Sequence, residues 1–481
     1  MHTRVAAALT VLVAVLLGPA TVVGAATDTT KPPKTWDPRI REFVKFAEKD
    51  RGLKFDHPVA VRFLDDAAFV KALNAGDEPT RADRKQAEHD AAQLRAVGMI
   101  GPDVDLIGAQ GAIDDTTTTG FYDPDTKTLY VRGRDLTDTD VKLTVVHELT
   151  HALQDQHFGL NRLDDRVRDS GEGFAENALV EGDAVTVEND YFFTLPQREQ
   201  DAYNATFDDP SSDTGADTGA ASEPDAGATT ADAPVLDAFD SAPYDFGSQF
   251  VTFVLDDRGP KAADALFRTL PRSEEQIIDP VATHRREAPM EVTAPVLADD
   301  EKAVGDPDVW GAFSLYLMLA ARIDRVTALE AANGWGGDSY RAFTRADGTE
   351  CVRVAVKGDT PEDTQQIADA LTQWAAQMPA GGVTTGTTGA TALFTACDVG
   401  GVTSPDAQRI DDATGLLYDR NHFAQSLIGD GVEYAVARCA GAKMALDGEI
   451  VDAEWGDTEL TTKQRDALSA RVDTFVQDCG G

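Results

Sequence analysis

Basic side chains are scarce in this chain: 43 Lys and Arg stand against 83 Asp and Glu, a formal net charge of −40 over 481 residues. A field of that sign repels phosphate backbones and anionic lipid surfaces, so nucleic acid and charged membrane surfaces are disfavoured as partners. The acidic residues are spread along the whole chain, which reads as a solubility signature and not as a binding code. Cysteine is also sparse. Cys351, Cys397, Cys439 and Cys479 all lie in the last third, and none are at CxxC spacing, which argues against a cysteine-ligated zinc module. Beyond the N-terminus no segment approaches the roughly 18 apolar residues that span a membrane. Histidine numbers only eight, so an accidental metal-binding spacing is improbable.

What is present begins with an export signal. Arg4 precedes the apolar run Val5 to Leu17, Gly18-Pro19 breaks it, and Val23-Gly24-Ala25 offers small residues for cleavage. Residues 1–25 are therefore expected to be a secretory signal peptide. No Cys follows the apolar run, which excludes a lipid anchor at that site; an uncleaved anchor is the alternative. An even number of cysteines in an exported chain suggests two disulfides. Of three possible pairings we expect Cys351–Cys397, bracketing a strand-helix-strand unit, and Cys439–Cys479, bracketing a helical tail. With 42% hydrophobic residues there is material for a core and length for two or three domains.

The chemistry lies in Val145-Val146-His147-Glu148-Leu149-Thr150-His151-Ala152-Leu153, an HExxH motif in a stretch that reads as a helix. Four residues turn a helix slightly more than once, so His147 and His151 project from one face and can grip one zinc ion (Zn2+). Glu148 then sits where a carboxylate can take a proton from water at the metal. A catalytic site needs a third protein ligand, and Glu172, Glu176 and Glu181 qualify, all on a second helix expected over 171–190. Phe174, Ala178, Leu179, Val185 and Val187 are its candidate core positions. Gly182 interrupts it, which predicts close packing against a neighbour, with the HELTH helix as the candidate. Asp155, four residues beyond His151, and Asp183, two beyond Glu181, are candidates to orient the ligands.

Around these helices the pattern predicts a helix over Ile40–Lys49, a strand over Val59–Leu64, a helix over residues 80–98, and a hairpin over Gly120–Gly133 whose strands could pair with an extended peptide. The tract from Asp208 to Pro234 is almost entirely Asp, Ala, Gly, Thr, Ser and Pro and is expected to be disordered. Later come an apolar helix over Tyr244–Leu255, another over Trp310–Leu319, a tight turn at Gly334–Asp338, a strand from Cys351, a helix over Glu362–Met378, a strand over Ala390–Cys397, and helices from Ser404 onward.

HELTHALQDQH followed by ALVEGDA resembles the paired-helix signature of gluzincin metallopeptidases, and residues 36 to 345 are similar to secreted bacterial, often actinobacterial, members of this HExxH type. The resemblance implies His147, His151 and Glu181 as zinc ligands and Glu148 as general base. In such relatives an S-x-E-Q-I-L-H-P string occupies the later segment, and here Asp279 stands where His would be expected. A donor for the oxyanion is also needed; His157, Tyr244 and His284 are the candidates.

The expected architecture is α+β: a zincin-like domain at 36–345 with the insertion at 208–234, a small α/β unit at 346–400 and a helical module at 401–481. The expected function is a secreted zinc metallopeptidase acting on a peptide or protein, with no membrane attachment after signal cleavage. A non-catalytic exported metal-bearing binding protein and a zinc amidase acting on cell-wall peptides are the alternatives. Oligomeric state is not legible.

Overall fold

Val145, Val146, Leu149 and Ala152 recur at helical spacing on one flank of the HELTH segment, and in the computed structural model all four are fully buried. That structure describes residues 32–74, 79–208, 233–281, 288–455 and 460–480. The expected signal peptide, residues 209–232 of the low-complexity tract, and His284 lie outside the described residues.

Helix α1 (Arg41–Asp50), strand β1 (Ala60–Leu64) and helices α2 (Asp66–Leu73), α3 (Arg81–Val97) and α4 (Leu106–Thr117) precede the hairpin of β2 (Gly120–Asp123) and β3 (Thr128–Arg132). The HELTH helix is α5 (Thr139–Phe158), followed by α6 (Leu160–Asp164), α7 (Ser170–Thr194) and α8 (Gln197–Asp208). Next come α9 (Pro234–Arg258), α10 (Pro260–Arg268), α11 (Glu274–Ile278), β4 (Lys302–Asp308), α12 (Ala312–Ala320), α13 (Arg325–Asn333), β5 (Trp335–Thr344) and β6 (Glu350–Gly358). The chain closes with α14 (Pro361–Ala375), β7 (Val383–Thr388), β8 (Thr391–Cys397), α15 (Ala407–Gly429), α16 (Tyr434–Met444), α17 (Gly448–Trp455) and α18 (Thr462–Gly480). The fold is α+β, as expected.

In the first sheet, ordered β1-β3-β2, β1 runs parallel to β3 and β2 antiparallel to it at the edge. The apolar flank of α5 lies on this sheet, against Tyr122, Leu129 and Val131 from the strands, Phe43, Val44 and Ala47 from α1, and Ile40 just before it. Asp138 starts α5 by accepting from Asp140 N, and left-handed Gly159 ends it, so the motif occupies the helix interior.

The second sheet is antiparallel and ordered β4-β5-β6-β8-β7. The boundary expected at 345/346 falls between β5 and β6, which are neighbours in it. Of Gly334–Asp338, expected as a tight turn, all but Gly334 belong to β5 itself. A Cβ on Gly336 would lie 2.9 Å from Asp359 N and one on Gly337 2.4 Å from Met290 O, so these glycines admit neighbouring backbone instead of reversing the chain.

Gly182 has the close neighbour its position predicts, but that neighbour is α9 and not α5. A Cβ on Gly182 would meet the Gly247 carbonyl carbon at 2.1 Å, and one on Gly247 would meet Ala178 O at 2.1 Å. Two facing glycines thus bring α7 and α9 into backbone contact, and Phe174, Ala178, Leu179, Phe246, Phe250 and Val254 fill the core around the crossing. Among the described residues no helix is long and apolar enough to cross a membrane.

Both disulfides have the expected pairing: Cys351–Cys397 joins facing positions of β6 and β8, and Cys439–Cys479 joins α16 to α18. Helix α18 has no fully buried residue. Leu468, Val472, Phe475 and Val476 pack it against the core, and Arg471 pairs with Asp447 and Glu449.

Gly182→Ala is expected to lower stability by about 1–3 kcal/mol or more through overpacking. Gly386→Ala in β7, with no atom within 4 Å of the new Cβ, should stay within about 0.5 kcal/mol of wild type. Urea denaturation compares them, and equal midpoints would disprove the backbone contact. Cys479→Ser should expose α18 to limited proteolysis while the main unfolding transition persists; resistance equal to wild type would mean the apolar contacts alone hold the helix.

Candidate metal centre

Two imidazoles from α5 and one carboxylate from α7 meet in the interior. His147 Nε2 lies 2.9 Å from His151 Nε2, and each is 3.2 Å from Glu181 Oε2. All three residues are buried. A four-coordinate divalent ion bound at about 2.0–2.2 Å sets its ligands roughly 3.3 Å apart, so the triangle has the size to hold one metal ion. Among the described residues it is the one His/Cys/Asp/Glu cluster that could do so.

The outer nitrogens are committed elsewhere. His147 Nδ1 donates to Glu188 Oε2 at 2.8 Å and His151 Nδ1 donates to Gln154 Oε1 at 3.0 Å. With the hydrogens on Nδ1, both Nε2 lone pairs point inward at the Glu181 carboxylate. Three electron-rich atoms in a dry site repel one another unless positive charge sits among them. The acid–base equilibria respond to the same need. Burial pulls His147 down, but hydrogen bonds to Glu181 and Glu188 outweigh it and hold its pKa well above the usual value. His151 is likewise raised against burial, by the Glu181 charge and hydrogen bond. Burial pushes Glu181 up, yet His151 and His147 bring its pKa down to about 2. Both imidazole shifts run in the direction of positive charge at the cluster.

Glu148 has no such partner. Burial pushes its pKa up to about 7, partly offset by His151 and His147, and its Oε2 is buried with no hydrogen-bond donor. A buried carboxylate oxygen left bare is costly for the fold, and such groups mark reactive positions. Edge strand β2 passes beside it: a Cβ on Gly120 would lie 3.2 Å from Glu148 Cγ and 2.4 Å from Thr144 Cγ2, so only glycine lets the strand come this close.

The other two candidate ligands lie outside the cluster. Glu172 sits nine residues before Glu181, roughly 13 Å along the helix, and pairs with Arg168 and Arg272. Half-buried Glu176 is not among the clustered ligands, and burial, with the Asp164 and Glu181 charges, pushes its pKa up to about 8. Asp155 does not orient an imidazole; its carboxylate accepts from Tyr122 Oη at 2.8 Å and Lys127 Nζ at 2.6 Å. Asp183 reaches the site indirectly, accepting from Gln154 Nε2 at 2.9 Å. Sequence reasoning missed Glu188 and Gln154, the residues that hold the two rings. Glu188 lies seven residues beyond Glu181 and Gln154 seven beyond His147; two helical turns keep each pair on one face, which was the available signal.

Of the oxyanion candidates, His157 Nε2 lies 2.7 Å from Lys54 O on the exposed side of the helix. Buried Tyr244 on α9 comes to the site, its ring centroid 6.4 Å from that of His147. Asp279 is buried against Arg438 and, at 3.9 Å, Arg420. Burial would raise its pKa, but the two guanidiniums hold it below the usual carboxylate range. The position where the resemblance expects His thus carries an ion pair that ties the end of α11 to α15 and α16.

A protein-family profile described as "Domain of unknown function (DUF8575)" matches residues 301–413. The matched region starts at β4, includes the whole five-stranded sheet with α12, α13 and α14, and crosses the 345/346 boundary; the metal cluster lies outside it. No curated protein and no solved structure matches the chain.

Wild-type protein is expected to take up one divalent ion per chain, and His151→Ala to abolish uptake. Because both imidazole pKa values are raised, the ion must displace protons, so affinity falls as pH is lowered and uptake releases protons. Calorimetry in buffers of different ionisation enthalpy reads both quantities. Binding without proton release, or unchanged in His151→Ala, would place the ion elsewhere.

Proposed function

We propose that the protein is an exported zinc metallopeptidase of gluzincin type, acting on a peptide or protein substrate. The observation that carries this reading is the bare Glu148 carboxylate beside a cluster that offers three protein ligands. A structural zinc site closes its shell with four, whereas a catalytic one keeps a position open. The succession of edge strand β2, strand β3, metal helix α5 and ligand helix α7 supports a zincin-like fold. Two disulfides support export, since they persist in oxidising compartments.

A bound zinc ion supplies a Lewis acid for the scissile carbonyl and acidifies water. Glu148 accepts the proton of the attacking water and returns it to the leaving amine. Glu188 and Gln154 keep the two imidazoles in their tautomers. Tyr244 is our candidate donor to the developing oxyanion. Strand β2 lies at the edge of its sheet, where an extended chain could pair along it, a form of recognition that tolerates many side chains and suits polypeptides.

Glu148→Gln should retain zinc and lose about 100-fold or more in turnover, the usual worth of a general base. The measurement is cleavage of a diverse unfolded-peptide library by zinc-loaded protein. Products from wild type and not from the variant would support the reading. Zinc uptake with no cleavage by either protein would favour a metal-bearing binding protein, or an amidase for cell-wall peptides.

A further inference from the structure

The amide of Gln154 is fixed in one direction by what surrounds it. Its Nε2 donates to Val180 O at 2.9 Å and to Asp183 Oδ2 at 2.9 Å. Reversing the amide would press its oxygen against a carbonyl and a carboxylate, so Oε1 must face His151 Nδ1. Asp183 is held in turn by Arg51, whose Nε lies 2.7 Å from Oδ1 and 2.9 Å from Oδ2. Arg51 is anchored by Asp264 of α10, with Nη1 2.8 Å from Oδ1. Gln154, Asp183 and Arg51 are all buried, so water does not compete for these bonds.

Arg51 follows α1 directly and reaches the site from outside both metal helices. An ion pair serving the fold alone would be complete between Arg51 and Asp183. Here the same carboxylate also takes an amide hydrogen one step from a metal-ligand ring. We infer that Arg51 and Asp183 are positioning residues that act through Gln154, keeping hydrogen on His151 Nδ1 and the Nε2 lone pair directed at the metal position. This deepens the metallopeptidase reading and rests on it only for the presence of the ion.

The test is a double-mutant cycle on the full mature chain, with zinc affinity measured by competition titration and ligand geometry by the visible spectrum of bound cobalt. Gln154→Met removes the hydrogen bonds at nearly constant size, and Asp183→Asn removes the charge that orients the amide. Each should weaken zinc binding by about 10–100-fold and alter the cobalt spectrum. The double variant should lose no more than Gln154→Met alone, because Asp183 acts only through that residue. Losses that add in the double variant, or wild-type affinity in Asp183→Asn, would overturn the relay. Should Asp183→Asn fail to fold, Arg51→Lys, which keeps the buried charge but not the planar fork, replaces it in the cycle under the same two criteria. A wild type that takes up no zinc defeats the site reading and the relay together. A wild type that binds zinc and cleaves nothing counts against the peptidase reading alone, and the cycle then decides the relay.

Discussion

Three electron-rich atoms, two imidazole nitrogens and one carboxylate oxygen, are held within 3.2 Å of one another in the interior, and the rest of the central architecture keeps them there. Their mutual repulsion would spread them apart were the rings free to turn. Glu188 and Gln154 deny that freedom, and the backbone contact of Gly182 with Gly247 fixes the helix position next to Glu181. The site is therefore built for positive charge before any arrives, and that preparation is what makes an ion at its centre favourable.

The scaffold separates two duties. On one flank α5 is apolar and rests on the small sheet and α1, which sets its height and rotation. On the other it presents His147, His151 and Gln154 to α7, all of them buried. Helix α7 meets α5 on one side and α9 on the other, so its glycine and its glutamate serve different neighbours. The sheet matched by the family profile supplies no residue to the cluster, meets α7 at its start through Ser170 and Asp308, and carries the first disulfide between its interior strands β6 and β8.

Much of the centre was legible because helical periodicity is local. His147 and His151 at i, i+4 needed no tertiary information, and Glu181 followed from resemblance. Asp155 misled because the i, i+4 step drifts about 40° per repeat, which by the third residue has rotated toward Tyr122 and Lys127 of the hairpin. Gln154, at i+7 from His147, drifts the other way and meets α7. Arg51 carried no signal, since its partner lies 132 residues away. Strands β4 and β7 were missed because they are edge strands, largely exposed and lacking an alternating apolar pattern. The glycines before Asp338 read as a turn because a gap left for another backbone looks the same in sequence as a reversal. The disulfides were read correctly, since loop bracketing is a property of chain order.

The depth of the cluster has a kinetic side. The side chains of His147 and Glu181 are 1% and 2% exposed, and that of His151 only 9%. An ion seated there is held by three buried side chains that must let go together, so its residence time is set by the rate of local rearrangement as much as by equilibrium affinity. Exchange with metals in the surroundings would be slow on the same scale. The compartment in which the chain folds, and the ions present at that moment, would then decide which metal it carries for the rest of its life.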